Sequence, residues 1–270
     1  MQKSKTYDIN DTSKFIYENK RKRGENMIKA YAKSDIGRVR EINQDYYYIS
    51  NSLDEVQLYM LADGMGGYKG GEIASKLAVQ SAKSYIENNF KEIPKDKESI
   101  IQLVGSSMEY ANMVVYEKSK ENPELEGMGT TLEICLIYNN RAFIGHVGDS
   151  RIYRIRKDFM RKLTQDHSYV QKLVKDGTIT QEQAAHHPQK NMLMKALGCN
   201  AFVEPDVMVK GFLKDDIIII NSDGLTNLVS QEEICKWAKK DIEQAPKELV
   251  KMANENGGYD NITVIVIKNI

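Results

Sequence analysis

VQLYMLADGMGGYKGGE, residues 56–72, is an apolar run that ends on Asp63 and then spends five of its next eight residues on glycine. Residues 56–62 read as a buried strand. The following GEIASKLAVQSAKSYIENNF (71–90) reads as a helix, with Ile73, Leu77, Ser81 and Tyr85 on one face. A carboxylate followed at once by a glycine-rich turn builds a poor core. It is a good way to hold a cation beside a phosphate, because glycine lets main chain approach an ion without a Cβ in the way.

Working outward, further strands are expected at 28–32, 46–50, 131–138, 141–147, 152–156, 215–221 and 262–267. Asn139-Asn140 is a hairpin turn signal between two of them. A second helix is expected over 99–120. Ser230 and Glu233 have the spacing of a capping box opening a helix through 240, and Pro246 opens another helix that Gly257-Gly258 stops. Residues 165–197 are polar and helical and read as an insertion over one face. Two strand groups, each followed by its own helix pair, predict an α+β fold: two packed antiparallel sheets with helices outside, a four-layer α-β-β-α sandwich. Residues 1–26 are polar and aperiodic and read as a flexible extension carrying the basic run Lys20-Arg21-Lys22-Arg23; residues 27–270 read as one domain.

Composition excludes several classes. The 270 residues are 41% hydrophobic, enough for a substantial core, and 38 basic against 38 acidic residues leave no net charge to attract nucleic acid. Cys135, Cys199 and Cys235 form no C-x-x-C pair, against a disulfide framework or a cysteine zinc site and in keeping with a reducing cytoplasm. No apolar stretch approaches the roughly 20 residues that cross a bilayer, and the N-terminus lacks a secretory signal. The expectation is a cytoplasmic monomer with no membrane insertion.

Asp63 has company. Asp149 follows 141–147, Asp223 follows 215–221, Asp260 precedes 262–267, and Asp45 precedes 46–50. One such aspartate is usually a turn carboxylate making a local hydrogen bond. Five at strand ends from both sheets imply a shared purpose, since burying carboxylates together costs several kcal/mol unless a cation compensates. Oxygen-only ligands suit Mg²⁺ or Mn²⁺. The four histidines fit no zinc motif: His186 and His187 are adjacent, His146 alternates along a strand as a packed residue would, and His167 is expected at the surface, with the mouth of a site as the alternative. Arg40, five residues before Asp45, has the planar cation suited to phosphate oxygens.

SDIGRVREINQD, LADGMGGYKGGEIAS, GMGTT, HVGDSRIYR, LTQDHS, NSDGLT and YDNITVIVI occur in this order from Ser34 to Ile267. Together they resemble the bacterial branch of the metal-dependent type-2C (PPM) protein serine/threonine phosphatases. The resemblance implies a β-sandwich flanked by helices and hydrolysis of phosphoserine and phosphothreonine in proteins by a metal-activated water, reversing a serine/threonine kinase. It implies two Mn²⁺ or Mg²⁺ ions and a third, weaker site. Asp63 would bridge two ions with the Gly64 carbonyl on one of them. Asp223 and Asp260 would complete the first ion, Asp45 would serve the second, and Asp149 with Asp223 the third. Arg40 would bind phosphate, and residues 165–197 would be a flap that shapes substrate choice. Met65 departs from the pattern: animal members place a histidine there as general acid, and methionine has no proton to give. Two alternatives share the motifs: a phosphatase acting on an anti-sigma-antagonist type regulator, and a non-catalytic binding module. The second predicts lost ligands, whereas Asp63, Asp223 and Asp260 are all present.

Overall fold

A computed structural model describes residues 27–50, 56–66, 69–121 and 123–270; the N-terminal extension expected at 1–26 lies outside them. The chain opens with β1 (Ile28–Asp35), β2 (Asp45–Ile49) and β3 (Gln57–Met65), followed by α1 (Gly70–Asn89) and α2 (Lys97–Glu121). Then come β4 (Gly129–Thr130), β5 (Leu132–Tyr138), β6 (Arg141–Val147), β7 (Arg151–Arg156) and β8 (Phe159–Lys162). Short helices α3 (Tyr169–Lys175) and α4 (Gln181–Ala185) precede β9 (Asp206–Gly211) and β10 (Ile217–Asn221). The chain closes with α5 (Asp223–Thr226), α6 (Gln231–Lys240), α7 (Ala245–Glu255) and β11 (Ile262–Asn269).

Among the described residues the strands form two antiparallel sheets. One runs β1-β11-β10-β7-β8; the other runs β2-β3-β5-β6-β9, with β4 also on β3. The expected four layers follow from strands that are apolar on both faces. On β3, Leu58, Met60 and Ala62 pack with α1 and α2, while Tyr59 and Leu61 face the other sheet. On β10, Ile217 and Ile219 pack with α6 and α7, while Ile218 and Ile220 point inward against Ile144, Ile265 and Ile267. Each such side chain contributes roughly 1.5–3 kcal/mol when fully buried, so each of these strands ties its own helices and the opposite sheet together at once. The β5–β6 hairpin turns on Asn139 and Asn140 at φ 49° and 57°, the two left-handed residues of a type I′ turn.

Strands β4, β8 and β9 were not legible. β8 is a four-residue edge strand and β9 is half-buried at its sheet's edge, so neither carries a long apolar run. Only half of the expected capping box forms. Ser230 Oγ accepts from the Glu233 amide at 3.3 Å, but the Glu233 carboxylate accepts from Lys236 Nζ at 3.1 Å instead.

Segment 165–197 is tied down at its base. His146 is fully buried, as its strand position predicts. Its Nδ1 meets Glu133 Oε1 at 2.7 Å and its Nε2 meets the Gln165 carbonyl at 2.8 Å. Met194 donates its amide to the His167 carbonyl at 2.7 Å, and Leu197 pairs with Thr130.

Candidate active site

Antiparallel pairing brings the five aspartates to one edge of the sandwich. Asp45 begins β2 and lies directly opposite Asp63 near the end of β3. In the other sheet, Asn221 at the end of β10 pairs with Arg151 at the start of β7 and with Val264 near the start of β11. That register places Asp149 before β7, Asp223 after β10 and Asp260 before β11 at the same end. Asp45 is buried, and the other four are partly buried.

The carboxylates disfavour one another's ionisation. Burial pushes Asp63 well above the ordinary carboxyl range, and Asp45, Asp223, Asp149 and Asp260 all push it the same way. Asp45 rises to about 7, mainly by burial, with Asp223 and Asp260 adding to the rise and the nearby Thr263 and Ser222 hydroxyls opposing it. Asp149 rises to about 7 through burial and then Asp223. Asp223 rises through burial and then Asp260, while Asn227, Arg151 and Arg40 pull it down. Four carboxyls that each disfavour ionisation, and raise one another, describe a pocket that a cation would relieve.

The surrounding residues hold this arrangement. Thr131 Oγ1 accepts from the Asp63 amide at 2.9 Å and meets Ser150 Oγ at 3.0 Å, which joins the Asp63 and Asp149 turns. Ser222 Oγ donates to Asp45 Oδ2 at 2.8 Å and accepts from the Thr263 amide at 2.9 Å. Asn261 is buried. It donates to the carbonyls of Ile36 and Ile42 at 2.9 and 3.0 Å and accepts from the Gln44 amide at 2.8 Å, fixing the loop that carries Arg40. Arg151 grips Asp166, with Nη2–Oδ2 at 2.8 Å, and so presents a fixed cation behind Asp149 and Asp223. His167 is not at the surface but beside the site, the alternative placement. Only 12% of its side chain is exposed, and its Nδ1 accepts from the Gly148 amide at 3.2 Å, just behind Asp149. Burial drops its imidazole to about 4, which keeps that nitrogen an acceptor.

Two glycines are demanded by geometry. A Cβ on Gly64 would lie 2.0 Å from the Gly71 carbonyl oxygen, so the start of α1 can approach the Asp63 turn only without one. Gly148 adopts φ +120°, and a Cβ there would meet Thr131 Cγ2 at 2.5 Å. Gly67 lies outside the described residues. Met65 Cε sits 2.9 Å from where a Cβ on Gly129 would stand, so this side chain packs along β4.

The donor set fits divalent cations that prefer oxygen. Asp45 Oδ1 is buried with no hydrogen-bond partner, an orphaned acceptor beside four further carboxylates. Among the described residues, however, no three His, Cys, Asp or Glu side chains already form a group that could hold an ion unaided. Protein donors occupy some of the same oxygens. Arg40 Nη2 donates to Asp260 Oδ2 at 2.8 Å, and Asn227 Nδ2 donates to Asp223 Oδ2 at 3.0 Å. Mg²⁺ and Mn²⁺ also fill much of their shell with water, so few protein ligands need stand ready. Arg40 is half-exposed, its guanidinium at the rim of the acidic cluster.

Comparison with known proteins agrees with the fold. The family model described as protein phosphatase 2C matches residues 37–263. The chain is 36% identical over 241 residues to the serine/threonine phosphatase stp of Listeria innocua, covering 87% of this chain and 94% of that one. The structure of serine/threonine phosphatase Stp1 from Staphylococcus aureus superposes with a TM-score of 0.83 at 33% identity, covering 96% of this chain and all of that one. The catalytic domain of the phosphatase PstP, solved with two manganese ions, superposes with a TM-score of 0.79 at 33% identity, covering 90% and 98%. With the sandwich, the acidic edge and the family match in agreement, the chain belongs to the protein phosphatase 2C family.

Proposed function

We propose that this protein is a metal-dependent serine/threonine phosphatase that hydrolyses phosphoserine and phosphothreonine in proteins. The observation that carries the reading is the convergence of Asp45, Asp63, Asp149, Asp223 and Asp260, from both sheets, beside Arg40. Asp63 and the Gly64 carbonyl would hold two Mn²⁺ or Mg²⁺ ions, with Asp223 and Asp260 on the first and Asp45 serving the second. Asp149 with Asp223 would take a third, weaker one. The two manganese ions in the PstP structure support the choice of metal. When bound, such ions make water more acidic and offset charge on a phosphoryl group.

The chain's own residues bind and orient. Arg40 offers a permanent planar cation to the phosphoryl oxygens, and Asn261 fixes the loop that presents it. Ser222 and Thr131 lock Asp45 and Asp63 in register. Met65 contributes no proton, so the leaving alkoxide draws one from elsewhere. No cysteine or serine nucleophile is required.

Residues 27–270 form the catalytic domain on this reading, and 165–197, anchored by His146 and Leu197, form the flap that shapes substrate choice. The physiological setting is a cytoplasmic monomer that reverses a serine/threonine kinase. Unpaired cysteines at 135, 199 and 235 support a reducing compartment, and no described helix is long and apolar enough to cross a membrane. The test is turnover of p-nitrophenyl phosphate and of phosphothreonine, phosphoserine and phosphotyrosine peptides. Chelation should abolish activity and Mn²⁺ restore it, with phosphotyrosine the poorest peptide. Chelator-resistant turnover, or a preference for phosphotyrosine, would reject the reading.

A further inference from the structure

Behind the Arg40 loop lies an open groove of about 510 Å³ between β1 and α7. Four cations line it, Lys33, Arg38, Lys247 and Lys251, against two carboxylates, Asp35 and Glu255. Both carboxylates are engaged. Asp35 Oδ1 accepts from the Gly37 amide at 3.0 Å and from Asn254 Nδ2 at 3.1 Å, and Glu255 stands 3.9 Å from Lys251. Among the described residues no carboxylate pairs with Lys33 or Lys247. The protein as a whole has no net charge, so this is a local excess of positive charge and not part of a basic surface.

The groove is joined to the site. Arg38 donates its amide to the Gly258 carbonyl and its Nε to the Asn254 carbonyl, each at 2.7 Å, stitching the loop to the end of α7 just ahead of Asp260. Arg38 and Arg40 are two residues apart, so their Cα atoms are separated by at most about 7 Å. A phosphopeptide with its phosphate on Arg40 would pass residues a few positions away over these cations. We infer that this groove docks acidic side chains flanking the phosphorylated residue of a protein substrate, so that the enzyme favours phosphosites in acidic surroundings. The inference rests on the phosphatase reading above and adds a sequence preference to it.

The test compares two phosphothreonine peptides, one with Asp and Glu within five positions on either side and one with Ala and Ser there. The enzymes are wild type and the double variant K247E/K251E, in Mn²⁺. Both substituted lysines are exposed on α7 and lie outside the catalytic constellation. Exposed charge pairs contribute modestly, and most at low salt. The acidic peptide should therefore lose roughly three- to tenfold in kcat/KM with the variant, and raising the salt should shrink that gap. The neutral peptide and p-nitrophenyl phosphate should be turned over equally by both enzymes. If wild type turns over no substrate, the phosphatase reading fails. If p-nitrophenyl phosphate is hydrolysed normally but both enzymes treat the two peptides alike, the groove inference alone is overturned. A loss on all three substrates would also overturn it, since the lysines would then act on the site itself.

Discussion

Replacing Asp45 with Asn should stabilise the metal-free protein at pH 8, although it damages the enzyme. Asp45 is 8% exposed, with one oxygen on Ser222 and the other unpartnered. Burial and the neighbouring carboxylates lift its carboxyl from 3.8 to about 7. Each pH unit corresponds to about 1.36 kcal/mol, so holding this group ionised in the folded chain costs roughly 4 kcal/mol. The sign follows from the raised value. Below about pH 4 the carboxyl is protonated in folded and unfolded chains alike, and there is no penalty. Between about pH 4 and 7 only the unfolded chain ionises, so the penalty grows with pH, and above about 7 it is complete. Asn keeps an oxygen for Ser222 but puts an NH₂ where Oδ1 lacks a donor, which returns part of the gain at roughly 1–3 kcal/mol. The net expectation is about 2 kcal/mol of added stability at pH 8 in chelator, turning into a loss of about 2 kcal/mol near pH 4, where only the unpaired NH₂ counts. Urea unfolding at both pH values, followed by fluorescence of the single Trp237, reads this directly. A variant no more stable than wild type at pH 8 would refute the reasoning, because the acidic edge would then store no repulsion.

Asp63→Asn should lower kcat/KM at least about 100-fold, the usual scale for losing a centrally placed charged group, with an unchanged circular dichroism spectrum. Near-normal turnover would reject the bridging role proposed for it. Arg40→Ala should mainly raise KM for phosphopeptides; a loss confined to kcat would mean that Arg40 acts only in the transition state. Asn261→Ala removes three hydrogen bonds to the Arg40 loop. At about 1 kcal/mol each it should cost roughly 3 kcal/mol and raise KM in the same direction as Arg40→Ala; an unchanged melting temperature would refute that.

The fold was legible where strands are buried on both faces. DIIIIN and VQLYMLA can only be strands with partners on each side, and β10 and β3 show it. The aspartates were legible because each abuts such a run. The residues that hold them were not. Asn261 contacts backbone 217 to 225 positions away, and nothing in YDNIT names those partners. Its placement just ahead of a strand was the only signal. Ser222 and Thr131 sit inside the quoted NSDG and GMGTT blocks, but only the register shows that they serve Asp45 and Asp63. The surface was the wrong choice for His167 because a histidine flanked by polar residues reads as solvated, whereas the chain folds it behind Gly148. Strands β8 and β9 escaped because edge strands need bury only part of one face.

The central claim is that distant carboxylates share one pocket because divalent ions offset their repulsion. Equilibrium titration of the chelator-stripped protein with Mn²⁺, followed by calorimetry at pH 8, tests it most directly. Wild type should bind two ions tightly, with any third weaker, and Asp63→Asn should lose tight binding while remaining folded. Equal binding by the two proteins, or none by wild type, would contradict the claim.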